Sequence, residues 1–283
     1  MPKSSPALPG SSASIAFIGG GNMARSLIGG LLRNGYDASR ISVAEPNAEL
    51  RQRLATDFGV RHATANAEAA DGCDVILLAV KPQVMKVVCA ELRMVAQATK
   101  PLLISIAAGI RSDQLDNWLG GRLPIVRCMP NTPALIGAGA SALFANAQVN
   151  AKQKQLAESM LAAVGTTMWI LREALIDTVT ALSGSGPAYF FLLVELLEDA
   201  AVTQGLPRDV ARELVTQTCL GAGRMLREDG ESPARLRERV TSPNGTTEAA
   251  LHQFANDGLR EVVARALTAA TVRGRAMSSE FGN

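Results

Sequence analysis

Late in the sequence, Ser242-Pro243-Asn244-Gly245-Thr246-Thr247 forms a polar loop that runs directly into a helical pattern. Such a loop gathers backbone N–H groups, two threonine hydroxyls and the positive end of a helix dipole. That combination receives a small anion without needing an arginine. Near the other end, Gly19-Gly20-Gly21-Asn22-Met23-Ala24 fits G-x-G-x-x-G/A after a short apolar run. There the first glycine allows a tight turn, the second lets a pyrophosphate approach the backbone, and Ala24 lets helix pack near strand. A dinucleotide site at one end and an anion pocket at the other point to an enzyme that reduces a small acid.

The elements that must position these groups can be read from the apolar pattern. Strands are expected at residues 14–18, 41–44, 74–80, 102–106, 125–128, 140–144 and 167–170, with helices at 22–33 and 48–58 among them. Continuous apolar strands separated by helices predict a mainly parallel, doubly wound sheet with both faces covered. After Leu171 the strand pattern stops. Helices are then expected at 173–182, 187–204, 207–228, 233–240, 247–256 and 259–279, with Pro187, Pro207 and Pro233 in first turns and Gly205 and Gly258 just past helix ends. The expected organisation is a disordered tail over 1–13, an α/β Rossmann-type domain over 14–171 and an all-α domain over 172–283. The helix from Pro187 is apolar almost all round, so a second subunit is expected to cover it.

Composition narrows the partners. The 283 residues are 47% apolar and 19% charged with a net charge of +2 and no basic block, so nucleic acid is not an expected partner. Four scattered cysteines and two histidines lack metal-ligand spacing, so no metal site is expected and the reduced cytoplasm is the default compartment. No membrane-spanning run is expected.

Further candidates stand at the strand ends. Glu45 lies 45 − 24 = 21 residues beyond Ala24, where an acid bonds the adenosine ribose of NAD; Arg51 and Arg53 follow and leave NADPH open. Val80-Lys81-Pro82 ends the third expected strand, with Lys81 either sensing phosphate or substrate charge or capping the sheet edge. Small residues at Ala107 and Ala108 permit close approach of a flat ring. In Met129-Pro130-Asn131-Thr132-Pro133, two prolines hold a loop in which Asn131 and Thr132 could bond a carboxamide or simply make a turn.

Together these segments resemble pyrroline-5-carboxylate reductase from about residue 14 to the C-terminus. The resemblance is carried by Phe17–Ala24, Ala79–Pro82, Val126–Pro133, Leu182-Ser183-Gly184-Ser185-Gly186-Pro187-Ala188-Tyr189 and Val240–Thr247. The last two are the specific motifs. The resemblance implies a Rossmann domain followed by a helical dimerisation domain, with homodimers that assemble further into rings. It implies hydride transfer from NADPH or NADH to the C=N carbon of Δ1-pyrroline-5-carboxylate, giving L-proline. Ser242, Thr246 and Thr247 inherit the substrate carboxylate, with N–H groups near Asn244 and Gly245 aimed at it and Thr247 nearest the ring nitrogen. Asn66 matches a position that contacts the adenosine ribose or its phosphate. The Ser183–Pro187 turn is expected to pack beneath the active site. A β-hydroxyacid dehydrogenase would need a catalytic lysine on the long helix, and residues 187–204 contain none. A redox-sensing regulator that had lost catalysis could drift at the carboxylate loop, whereas every polar group is present here.

Overall fold

The computed structural model describes residues 12–281. Of the tail expected over 1–13, residues 1–11 lie outside the described residues. Ala13 lies within them and accepts a hydrogen bond from the Tyr36 hydroxyl.

Eight strands form one sheet in the order β3-β2-β1-β4-β5-β6-β7-β8. They are β1 (Ile15–Ile18), β2 (Ile41–Ala44), β3 (Arg61–Ala63), β4 (Val75–Leu78), β5 (Leu102–Ser105), β6 (Ile125–Met129), β7 (Gly139–Ala145) and β8 (Gly165–Trp169). All neighbours run parallel except β6 and β7, so the doubly wound sheet read from the sequence ends in one reversed pair. Between the strands lie α1 (Asn22–Arg33), α2 (Ala48–Phe58), α3 (Asn66–Ala70), α4 (Met85–Thr99), α5 (Ser112–Leu119) and α6 (Ala151–Ala162). The short β3 was not expected, because Arg61-His62-Ala63 has neither an apolar run nor alternation.

Every residue of β1, β2, β4 and β5 is buried, and the period-2 geometry sends alternate side chains to two separate cores. Ile15 and Phe17 join Leu27, Ile28 and Leu31 of α1 on one face. Ala16 and Ile18 join Met85, Val88, Cys89 and Leu92 of α4 on the other. Each large aliphatic side chain so buried stabilises the fold by about 1.5–3 kcal/mol.

The chain clusters into two compact units. One comprises residues up to Ser185 together with those from Ala270 onward; the other spans Gly186–Ala269. Strands end at Trp169, yet the first unit continues through Ser185 because the segment after β8 is tied back to the sheet. Arg127 on β6 has only 4% of its side chain exposed and pairs with Glu173 at 2.8 Å. Glu173 also accepts from the Ser112 N–H and hydroxyl, both at 2.6 Å. Where one helix was expected over 173–182, the chain forms a 3-10 turn (Glu173–Leu175), α7 (Ile176–Val179) and a π turn (Thr180–Gly184). The Ser185 N–H reaches back to the Thr180 carbonyl at 2.8 Å, closing the wide turn.

The second unit contains α8 (Gly186–Thr203), α9 (Arg208–Glu228), α10 (Pro233–Arg239), α11 (Thr246–Asn256) and the first half of α12 (Leu259–Glu280). Ion pairs from Glu198 to Arg208 and Arg212, both at 2.9 Å, staple α8 to α9. From residue 270 on, α12 packs with the first unit. A Cβ on Gly109 would lie 3.1 Å from Met277, and Gln114 donates to the Ser278 carbonyl at 3.3 Å.

Glu173→Ala leaves the Arg127 guanidinium buried without its counter-charge and is expected to cost about 3–5 kcal/mol in urea denaturation. Burial pushes the Cys89 and Cys128 thiols from 9.0 up to about 12. The native protein should therefore protect both from iodoacetamide at pH 8. An unfolded chain releases these protons from about pH 9 while the folded chain keeps them. Their stabilisation is thus complete below pH 9 and drains away as pH rises towards 12.

Candidate active site

The parallel register brings the carboxyl ends of β1, β2, β4, β5 and β6 to one edge, where ligands bind in this architecture. The glycine loop leaves β1 there. Gly19 has φ 98°, and a Cβ on it would stand 2.7 Å from the Ala79 carbonyl oxygen, so no other residue fits this turn. Gly21 has nothing within 4 Å of where its Cβ would be. It caps α1 without a side-chain hydrogen bond, and the first turn of α1 carries no acid. The first-turn N–H groups are thus left for an anion. Ala24 is buried in the core beneath, Met23 packs partly against it, and Asn22 is exposed.

Beside this loop opens a cleft of about 580 Å³ that gathers Gly19, Gly20, Gly21, Glu45, Asn66, Val80 and Lys81 from among the expected residues. Glu45 is only 8% exposed. Its carboxylate accepts from the Gly20 N–H at 2.8 Å and the Asn47 N–H at 2.9 Å, bracing the glycine loop against the end of β2. Arg51 donates to the carbonyls of Glu45 and Pro46, at 2.6 and 3.2 Å. Arg53 pairs with Glu49. Asn66 donates to Glu91 at 2.6 Å.

The far wall of the cleft was missed in the sequence. Val84, Val87, Val88 and Glu91 line it, and the exposed Val84 and Val87 offer an apolar surface fit for a flat base. Their spacing of i, i+3, i+4 and i+7 directly after Lys81-Pro82 was the available signal. Pro82 starts the 3-10 turn that leads into α4.

Ala107, Ala108, Met129, Asn131 and Thr132 share the same sheet edge but do not line this cleft. The side chain of Asn131 is engaged within the protein. Its oxygen accepts from the Ala140 N–H at 2.9 Å and its amide donates to the Ser183 carbonyl at 3.0 Å. Gly184 packs on Met129, where a Cβ would stand 2.6 Å from the methyl group. The loop after β6 and the π turn are therefore one braced assembly. Thr132 is exposed and begins a 3-10 turn.

In the second unit, the Ser242–Thr247 loop is a tight turn. The Gly245 N–H donates to the Ser242 carbonyl at 3.0 Å, Asn244 takes φ 57°, and its N–H donates to Glu248 at 2.7 Å. Both of those N–H groups thus have acceptors inside the loop. Gly245 caps α11 with no side-chain bond, so neither threonine is spent on capping. The hydroxyls of Ser242, Thr246 and Thr247 have no partner among the described residues. The same residues hold no cluster of His, Cys, Asp and Glu that could bind a metal ion.

Residues 173–277 match the family model for pyrroline-5-carboxylate reductase dimerisation, and residues 14–109 match that for NADP oxidoreductase, coenzyme F420-dependent. A curated pyrroline-5-carboxylate reductase from Pseudomonas aeruginosa is 52% identical over 270 residues, covering 95% of this chain and 98% of the relative. The chain belongs to the pyrroline-5-carboxylate reductase family. It is an NAD(P)H-dependent oxidoreductase that reduces Δ1-pyrroline-5-carboxylate to L-proline, the last step of proline biosynthesis. A solved pyrroline-5-carboxylate reductase from Coxiella burnetii superposes with a TM-score of 0.91 at 46% identity, covering 94% of this chain and 98% of the other. The Plasmodium falciparum pyrroline carboxylate reductase, solved with NADP bound, gives 0.83 at 30% identity, covering 95% and 99%.

The brace at Asn131 gives a direct test of this reductase. Asn131→Ala removes both hydrogen bonds. Asn131→Asp keeps the bond from Ala140 but turns a carboxylate oxygen towards the Ser183 carbonyl. Both variants are expected to lose on the order of ten- to a hundredfold in kcat, since small misplacements are costly in hydride transfer. Wild-type turnover in either would show that the loop needs no brace.

Proposed function

We propose that the cleft beside Gly19, Gly20 and Gly21 holds the dinucleotide and that Ser242, Thr246 and Thr247 receive the carboxylate of pyrroline-5-carboxylate. The observation that carries the second assignment is a helix start whose cap is glycine, whose hydroxyls have no partner among the described residues and whose first-turn N–H groups remain available. When bound, the nicotinamide cofactor supplies the hydride that reduces the C=N carbon.

The chain's own residues orient and exclude. The N-terminus of α1, with Asn22 and Met23, takes the pyrophosphate, and Glu45 and Asn66 flank the adenosine ribose. Val80, Lys81 and Pro82 border the middle of the cofactor. Ala107, Ala108, Met129 and Thr132 leave room for the nicotinamide, while Asn131 braces the loop instead of meeting the carboxamide with its side chain. Asn244 and Gly245 shape the turn that presents the threonines. Thr247 orients the ring nitrogen or relays a proton to it through water; an imine that arrives protonated needs no stronger acid. On this reading, residues 14–171 serve the cofactor and 172–283 serve substrate and assembly.

The partner is a second copy of the chain. In α8, Phe190, Phe191 and Leu196 are 62%, 68% and 57% exposed in the single chain, an expensive arrangement unless another subunit covers them. The stretch Glu173–Thr203 is long and apolar enough to cross a membrane by length and composition alone. The match of residues 173–277 to a dimerisation family favours the subunit interface instead. Homodimers, their assembly into rings and a cytoplasmic location complete the proposal, with neither nucleic acid nor membrane as partner.

The test follows oxidation of NADH and NADPH separately, with pyrroline-5-carboxylate and with its six-membered homologue. Oxidation with the five-membered imine is expected; preference for the homologue would reassign the substrate. Thr247→Ala should lower kcat by about tenfold or more, with Thr247→Ser recovering most of it. Unchanged turnover at saturating substrate would remove Thr247 from the chemistry. Ser242→Ala should act chiefly on the KM for the imine.

A further inference from the structure

The charge of the cleft carries a statement about which of the two dinucleotides this enzyme takes. It rests on the reading of that cleft as the cofactor site. Among the described residues lining it, the acids are Glu45 and Glu91 and the one cation is Lys81, so the formal charge is +1 − 2 = −1. The acids stand where β2 ends and on the α4 wall, the two sides that flank Asn66. Lys81 follows β4, on the opposite side of the glycine loop from β2 in the strand order.

The neighbouring arginines stand outside the lining. Neither Arg51 nor Arg53 lines the cleft. Arg51 is turned onto the Glu45 and Pro46 carbonyls, and Arg53 onto Glu49. Glu45 itself cannot swing away without cost. It is buried, and its two oxygens hold separate backbone N–H groups, one of them from the glycine loop. Displacing it would leave the buried Gly20 N–H without an acceptor. Asn66, which could donate to a phosphate, already donates to Glu91.

From this we infer that the enzyme is NADH-preferring, with Glu45 as the specificity-determining residue and Glu91 as its second. A ribose hydroxyl can donate to the lone pairs that Glu45 keeps free. A 2′-phosphate, carrying nearly two negative charges, instead meets two carboxylates in a cleft that no guanidinium lines.

Binding separates the possibilities without relying on turnover. Dissociation constants for NADH and NADPH, and for ADP-ribose and its 2′-phosphate, are measured by calorimetry on the full chain. The wild type is expected to bind the unphosphorylated member of each pair about tenfold or more tightly. Added salt should narrow the ratio, because repulsion between the phosphate and the acids is screened. Glu45→Gln should narrow it most and Glu91→Gln less, the ratio cancelling any general loosening of the loop. Equal or tighter NADPH binding by the wild type would overturn the inference while leaving the cleft as the cofactor site. An unchanged ratio in Glu45→Gln would overturn the role of that residue. Failure to bind either dinucleotide would remove the cofactor site and this inference with it.

Discussion

One row of backbone pairings fixes everything at the working edge. Ile18 pairs with Ala44 on one side and Leu78 on the other, Leu78 pairs with Ser105, and Ser105 pairs with Arg127. Because parallel strands keep direction as well as register, the loops after β1, β2, β4 and β5 leave the sheet at one level. The glycine turn, the acid after β2, the lysine after β4 and the small residues after β5 become neighbours although Gly20, Glu45, Lys81 and Ala107 are successively 25, 36 and 26 residues apart. Slipping any strand by one residue would turn its buried side chains to the opposite face, so the two cores enforce this alignment.

Charge placement follows the same economy. Where a carboxylate is buried or half-buried near the working edge, it holds backbone in place. Glu45 fastens the glycine loop to β2, and Glu173 fastens α5 and the segment after β8 to Arg127. Where polar groups lack partners among the described residues, as at Ser242, Thr246 and Thr247, they stand at a helix start with donors to spare. Glu248 sits in the same first turn and holds the Asn244 N–H, so the loop has a fixed shape and not an all-positive surface.

Much of this was legible in the residues. The glycine loop could be read because its turn admits only glycine at Gly19 and a Cβ on Gly20 would stand 2.5 Å from Leu54, constraints that leave marks in the sequence. Helix starts at Pro233 and Asn22, and the end of β2, were legible for similar local reasons, whereas β4 stops at Leu78, two residues before the expected end. The α4 wall was overlooked because its valines signal a buried helix face as readily as a ligand surface. The π turn has no such mark, since closing five residues on depends on the Met129–Gly184 packing that only the fold supplies. Asn131 reads as a turn residue with a free amide, and nothing local reveals that Ala140 and Ser183 consume it.

The sharing of α12 between the units has a further consequence. The first unit is completed by residues beyond 270, whose Met277, Ser278 and Phe281 pack against the segment from Gly109 to Gln114. During synthesis the sheet can therefore form early, but its covering over α5 must wait until the whole second unit has left the ribosome. The nascent protein carries an unfinished apolar surface for the time needed to translate residues 186–269, a window in which a chaperone or a second nascent chain has access to it.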